Sequence, residues 1–217
     1  MFTKYKLFIF DFDGTLCDSR INIANSLNDA LQIAHYPKID NTRIYPLIGK
    51  INIEETFLTF YPNLTAEQVT QMVSDFQVYQ FAHVADEIKF FPQVPETLLA
   101  LKSRGKTLCV LTAKGTTQIV AILKKLKIAQ LFSTIYGREP GHADKPSSDT
   151  ISAILSGLPD EYASPVVVMV GDTTIDCETA KNTHVDMIGV SYGIDTPEVL
   201  QRSGATYIIN TFDELLR

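Results

Sequence analysis

Cysteine is scarce. Cys17, Cys109 and Cys177 are odd in number, far apart and without CxxC spacing, so a disulfide framework and a zinc site are both disfavoured and a reducing compartment fits. No apolar run approaches the roughly 18 residues needed to cross a bilayer. The opening MFTKYKLFIFDF meets acids too early for a signal peptide, and cytoplasm is the expected location. Positive charge is also thin: 19 Lys and Arg stand against 25 Asp and Glu, for a net charge of -6. The densest basic stretch, KKLK at 124–127, reads as a solvated helix face, which argues against nucleic-acid and anionic-membrane partners. His35, His83, His142 and His184 show no HExxH or paired-ligand spacing. Internal repeats, low-complexity segments and Gly/Ser linkers are missing as well.

What is present suits a soluble α/β protein. The 217 residues are 45% apolar and 20% charged, enough for one good core and a smaller accessory domain. Short apolar, partly β-branched runs predict buried strands at 7–10, 107–111, 134–136, 166–170, 187–190 and 207–209. Helical patterns lie between most of them; Ile119, Ile122, Leu123 and Leu126 fill the i, i+3, i+4, i+7 template. Alternating strands and helices predict a Rossmann-like doubly wound parallel sheet. One interval breaks the rhythm. From Leu16 to Glu87 there are amphipathic stretches (21–33, 53–60 and 67–81) with prolines at 37, 46 and 62 and no convincing strand. This predicts a helical cap domain over 16–87 inserted into a core of 1–15 and 88–217, with any hinge at the two crossings near 16 and 87. Asp18 or Ser19 is the expected N-cap of the first cap helix, and Thr65 that of a later one, with Glu67 in its first turn.

The stretch KLFIFDFDGTLCDS ends an apolar strand on two aspartates. Carboxylates about 4 Å apart repel by roughly 4 kcal/mol at an effective dielectric near 20, so a compensating charge is required. Residues i and i+2 of an extended chain face the same way, so Asp11 and Asp13 share one side while Phe10 and Phe12 pack on the other. In open parallel sheets ligands bind beyond the carboxyl ends of the strands. There the chain offers Asp11, Asp13, Gly14 and Thr15, then Thr112 to Gly115, then Asp144 and Lys145, then Gly171 to Asp176. Taken singly, each has an ordinary explanation: a turn, a helix cap, a solvated lysine. Taken together, in order and each after a strand, they are the parts for phosphoryl transfer. Carboxylates gathered without histidine favour a hard cation, and Mg²⁺ suits them better than zinc. An ionised aspartate can attack phosphorus and a second carboxyl can move the proton. Thr112, expected at a strand-to-helix junction, can offer its hydroxyl to phosphate oxygens, and Lys145 a fixed positive charge.

With these motifs in place, the sequence resembles the haloacid dehalogenase-like phosphohydrolases, in the phosphoglycolate phosphatase-like branch that carries a small helical cap. DFDGTLCDS is similar to that family's first motif, LTAKG to the second, DKP to the lysine motif and GDTTIDCETA to the fourth, and the likeness spans essentially the whole chain. The resemblance implies Asp11 as nucleophile and Asp13 as general acid/base. It implies Mg²⁺ held by Asp11, the backbone carbonyl of Asp13 and Asp172, with Asp176 in support, and a phosphoryl group bound by Thr112 and Lys145. The cap loop PLIGKIN implies Gly49, Lys50 and Asn52 at the substrate, beside Ala113 and Lys114 of the second motif. Two places depart from the family pattern: Ala113 stands where asparagine is frequent, and Gln93 where glycine is usual. GREPGHADKP is also slightly long, leaving the path of Arg138 and His142 open.

The leading expectation is a Mg²⁺-dependent, phosphoglycolate phosphatase-like enzyme working through an aspartyl-phosphate on a small, compact phosphate ester such as phosphoglycolate or a sugar phosphate, with nucleotides also open, as a monomer or homodimer. A sugar phosphomutase uses the same core, and a phosphonoacetaldehyde hydrolase is suggested by Lys50, where related enzymes place a Schiff-base lysine, although Asp13 argues against it. An inactive phosphate-binding scaffold is the non-enzyme alternative.

Overall fold

A computed structural model describes residues 1–158 and 166–217. Strand β1 (Leu7–Phe10) is buried along its whole length, with β4 (Thr107–Gly115) on one side and β6 (Val167–Gly171) on the other. With β5 (Thr134–Arg138), β7 (Asp186–Val190) and β8 (Tyr207–Ile209) they form a six-stranded parallel sheet in the order β5-β4-β1-β6-β7-β8. The order reverses at β1, and it is the C-terminal end of β1 that carries the two aspartates. That reversal is the place where an open α/β sheet forms its binding crevice.

Side-chain alternation divides the core into two layers. Phe8, Phe10 and Phe12 join Leu98, Leu108 and Ile122 on one face, whereas Leu7 and Ile9 join Met169, Ile151 and Leu200 on the other. Burying each of these large side chains contributes roughly 1.5–3 kcal/mol, which anchors β1 firmly enough to hold charged residues at its end. Helices α6 (Val94–Ser103), α7 (Thr116–Lys125), α8 (Ser148–Ser156), α9 (Thr174–Asn182) and α10 (Pro197–Arg202) supply the connections. On α7, Ile119, Ile122 and Leu123 are buried, as their spacing predicts.

The helical insert comprises α1 (Arg20–Ile33), α2 (Asn41–Ile44), α3 (Ile53–Phe60), α4 (Ala66–Ala82) and α5 (Val84–Glu87) around a separate core that includes Leu27, Leu31, Phe57, Met72 and Phe76. It joins the sheet through a two-stranded antiparallel ribbon of β2 (Cys17–Asp18) and β3 (Lys89–Phe90). Two-residue strands carry no hydrophobic pattern, so the expectation of no strand from Leu16 to Glu87 is corrected by β2. Thr65 caps α4 in a capping box with Gln68, with Glu67 in the first turn as expected. Ser19 occupies the N-cap of α1 without capping it, because its hydroxyl bonds Asp13; Asp18 instead accepts from the Arg20 backbone N–H at 3.2 Å. Among the described residues no helix is long and apolar enough to cross a membrane.

Candidate active site

The chain leaves β1 in a tight turn: Leu16 N–H and Cys17 N–H both donate to the Phe12 carbonyl, and Gly14 N–H donates to the Cys17 carbonyl at 2.9 Å. Gly14 has φ +83°, and a Cβ there would lie 2.1 Å from Asp172 Oδ2. Only glycine lets the first loop approach the fourth so closely. Thr15 Oγ1 uses that approach to donate to Asp172 Oδ1 at 2.7 Å.

Asp11, Asp172 and Asp176 are buried, and a carboxylate oxygen from each lies within 4.8 Å of the others. Lys145 is the one ammonium among them, donating to Asp11 Oδ1 at 2.9 Å and to Asp176 Oδ1 at 2.8 Å. Its loop between β5 and α8 is pinned by Asn182 Nδ2, which donates to the Pro146 carbonyl at 2.8 Å, and by Ser147, which caps α8. Asp176 closes a capping box at the start of α9: its Oδ2 accepts from Asp172 N, Thr173 N and Thr173 Oγ1. With Lys145 on Oδ1, both Asp176 oxygens are engaged, so this residue braces the cluster.

Burial raises the Asp11 pKa to about 7; Lys145 opposes the shift while Asp176 and Asp13 add to it. Asp172 is pushed well above the usual carboxylate range by burial and then by Asp11 and Asp176. Burial works against the Lys145 ammonium, but Asp11 and Asp176 outweigh it and hold its pKa above the ordinary value. Three carboxylates and one ammonium leave an excess of negative charge in a site of oxygen donors alone, the donor set of a hard divalent cation.

Asp13 faces the same cleft with different partners, Ser19 Oγ on Oδ1 and Lys114 Nζ on Oδ2 at 2.5 Å. Lys114 therefore meets a carboxylate in this structure. Thr112 and Ala113 line the cleft. Thr112 was expected at a strand-to-helix junction, but β4 continues to Gly115 and α7 starts at Thr116. The apolar pattern stops at Leu111, whereas backbone pairing resumes after an irregularity with Gly115 against Arg138. Thr112 is thus a strand residue whose Oγ1 accepts from Lys114 N–H at 3.3 Å.

The insert closes one side of the cleft, whose volume is about 520 Å³. Gly49 and Asn52 line it, Asn52 also closing a capping box at the start of α3. Lys50 does not line it; its ammonium pairs with Asp195 Oδ1 at 2.6 Å, and Asp195 Oδ2 accepts from Thr174 N–H at the start of α9. Arg138 and His142 both line the cleft, and Arg138 pairs with Glu54 of α3. Sequence reasoning missed the segment after β7. There Ile194 N–H donates to Asp172 Oδ2 at 2.8 Å and Asp195 N–H donates to the Asp172 carbonyl. The strand-end rule, applied to β7 as it was to the other strands, points to these residues. Ser19 and Lys114 as partners of Asp13 carry no comparable local signal.

This arrangement of sheet, inserted helices and converging acids has counterparts of known kind. The family model for haloacid dehalogenase-like hydrolases matches residues 8–190, and the chain belongs to that family. It falls in the phosphoglycolate phosphatase-like branch. A phosphoglycolate phosphatase of Caulobacter vibrioides is 30% identical over 206 residues, covering 94% of this chain and 86% of the relative. The probable phosphatase IndB of Dickeya dadantii is 32% identical over 214 residues, covering 97% and 91%. Among solved structures, a predicted phosphatase from Clostridium acetobutylicum superposes with a TM-score of 0.83 at 30% identity, covering 97% of this chain and 96% of its own. A predicted phosphoglycolate phosphatase from Haemophilus somnus gives 0.87 at 26%, covering 99% and 97%.

Proposed function

We propose that the protein is a Mg²⁺-dependent phosphatase that hydrolyses a small phosphomonoester through an aspartyl-phosphate on Asp11. The observation that carries this reading is the buried triad of Asp11, Asp172 and Asp176, two of whose members, Asp11 and Asp176, share the Lys145 ammonium at 2.9 and 2.8 Å. Asp11 and Asp172, with the Asp13 carbonyl, would hold the cation, and Asp176 supports them through its hydrogen bonds. When bound, Mg²⁺ neutralises charge on the carboxylates and on the phosphoryl oxygens.

Lys145 fixes Asp11 by one oxygen, which orients the other for attack on phosphorus. The new Asp11 O–P bond forms as the ester O–P bond breaks, and Asp13 gives a proton to the departing alkoxide. A water then attacks the same phosphorus while Asp13 takes its proton, releasing inorganic phosphate and restoring Asp11. Ser19 orients the Asp13 carboxyl through Oδ1, and Oδ2, which accepts from Lys114 in this structure, would be released from that ammonium to carry the proton in both transfers. Thr112 and Lys145 bind phosphoryl oxygens. The helical insert, taken as a cap over 16–87 on a core of 1–15 and 88–217, keeps bulk water from the intermediate. The net charge of -6 supports a small-molecule ester as partner in place of nucleic acid.

The position of Lys50 weighs against phosphonate cleavage, since an ammonium paired with Asp195 is not the free amine that a Schiff base requires. A panel of phosphomonoesters assayed with Mg²⁺ and with EDTA tests the reading. We expect phosphate release that needs the metal and falls by about a thousandfold or more in Asp11→Asn. Full activity of Asp11→Asn, or none in the unmodified protein on any ester, contradicts it.

A further inference from the structure

The cleft has two chemically distinct walls. Asp11, Asp13 and Lys145 lie at its sheet end, while the helical insert contributes Ile23, Ile44, Ile48, Val73 and Phe76. The cleft is also lined by Arg138 at the end of β5 and by Glu139, His142 and Asp144 from the segment that follows.

Charge in the cleft is unevenly shared. Its carboxylates are Asp11, Asp13, Glu54, Glu139 and Asp144, and each of its three cations is already in an ion pair: Lys145 with Asp11, Lys114 with Asp13, Arg138 with Glu54. Arg138 also has a second acid within electrostatic reach. The Asp144 carboxyl is raised by burial, lowered by Arg138 and raised again by Glu54. Lys50, the remaining cation of the cap loop, is turned to Asp195. With Asp172 and Asp176 behind them the seven acids outnumber the three cations by four, so one divalent cation would still leave the site negative, and Lys145 and that cation would be fully engaged by these acids and the phosphate. Among the described residues lining the cleft no unpaired lysine or arginine is left over for a second anion, and His142 is the one lining imidazole. A carboxylate on the leaving group would lose its water against an apolar wall and stand near Glu54 and Asp144. An uncharged group would gain from the same wall, and Asn52 and Gln77 offer it neutral hydrogen-bonding amides.

We propose that the leaving alcohol of the substrate is uncharged with an apolar face, and that Glu54, by holding Arg138, is the specificity-determining residue that turns carboxylate-bearing esters away. The inference rests on the phosphatase reading above. It separates this chain from the substrate named for its phosphoglycolate phosphatase relatives.

The test compares kcat/KM of the full chain with Mg²⁺ for three esters: phosphoglycolate, its uncharged amide, and isobutyl phosphate, which has the same branching. The amide and isobutyl phosphate are expected to exceed phosphoglycolate by about tenfold or more. In Glu54→Gln the freed Arg138 is expected to narrow that ratio by about fivefold or more, through a rise for phosphoglycolate. A merely structural role for Glu54 would move all three esters by one factor. The inference is overturned if phosphoglycolate matches or exceeds its amide in the unmodified protein, or if Glu54→Gln leaves the ratio unchanged. Absence of release from all three and from p-nitrophenyl phosphate overturns the phosphatase reading, and this inference with it.

Discussion

Asp11 and Asp13 differ in sequence position by two and in partners completely. Both line the cleft, Asp11 enclosed with Lys145, Asp172 and Asp176 and Asp13 held by Ser19 and Lys114. The enclosure has a consequence for pH. The unfolded chain loses its Asp protons near pH 3.9, while folded, metal-free Asp11 keeps its proton to about 7 and Asp172 is likewise raised. Over that window the folded state binds more protons than the unfolded one, so stability of the metal-free protein falls as pH rises from about 4 to about 7. On the function proposed above, bound Mg²⁺ would replace those protons. Its stabilising shift in Tm should therefore be larger at about pH 8 than at about pH 5, by roughly 4 °C or more for a difference on the order of 2 kcal/mol. Thermal melts in EDTA and in excess MgCl₂ at the two pH values check this, and equal shifts would contradict it. The acids and Lys145 were legible in the sequence because each follows an apolar strand run. The partners of Asp13 were not, since the reach of a lysine from β4 to β1 depends on how the two strands sit side by side.

At the level of elements, apolar runs mark burial well and backbone pairing less well. Strands β1 and β8 have the bounds that their hydrophobic runs predict, because both the pattern and the pairing stop together. Strand β4 runs four polar or small residues further, and the ribbon of β2 and β3 was invisible, because its strands are too short to show alternation. A local conflict also survives at the start of α6. Gln93 is exposed at the N-cap with φ +66° and makes no capping hydrogen bond, in a conformation that costs an L-residue roughly 1–2 kcal/mol. Gln93→Gly removes that cost and adds some unfolded-state entropy. The expected net gain is about 0.5–1 kcal/mol, read as a rise in Tm of roughly 2–3 °C. A lower Tm would mean that the Gln93 side chain contributes more than its backbone conformation costs.

Across the whole molecule, the helical insert touches the core at the residues that order the acid cluster. Lys50 pairs with Asp195, whose N–H bonds the Asp172 carbonyl, and a Cβ on Gly49 would lie 3.2 Å from Thr173 Cγ2. Arg138 and Glu54 make the second bridge across the cleft. Arg138 and Glu54 are each about a third exposed, so that pair is worth only about 0.2–1 kcal/mol, whereas Lys50 meets a buried Asp195 and its pair is worth somewhat more. Lys50→Met should raise KM by up to about fivefold while leaving Tm within roughly 2 °C and kcat within about threefold. Steady-state kinetics and a melt measure all three. A complete loss of kcat would instead place Lys50 in the chemistry. The α/β class and the inserted helices follow from strand and helix periodicity, but these bridges do not, because surface charges carry no pattern that names a partner across 145 residues of chain.

The central claim is that Asp11 carries the phosphoryl group, and acid-quenched mass spectrometry of Asp13→Asn during turnover tests it most directly. With p-nitrophenyl phosphate the leaving group needs no proton, so the intermediate forms, while loss of the Asp13 base slows its hydrolysis. The account predicts that the peptide containing residue 11 gains about 80 Da, the mass of one phosphoryl group, and that Asp11→Asn abolishes the gain. Phosphate release with no adduct on that peptide, or an adduct that persists in Asp11→Asn, would contradict it.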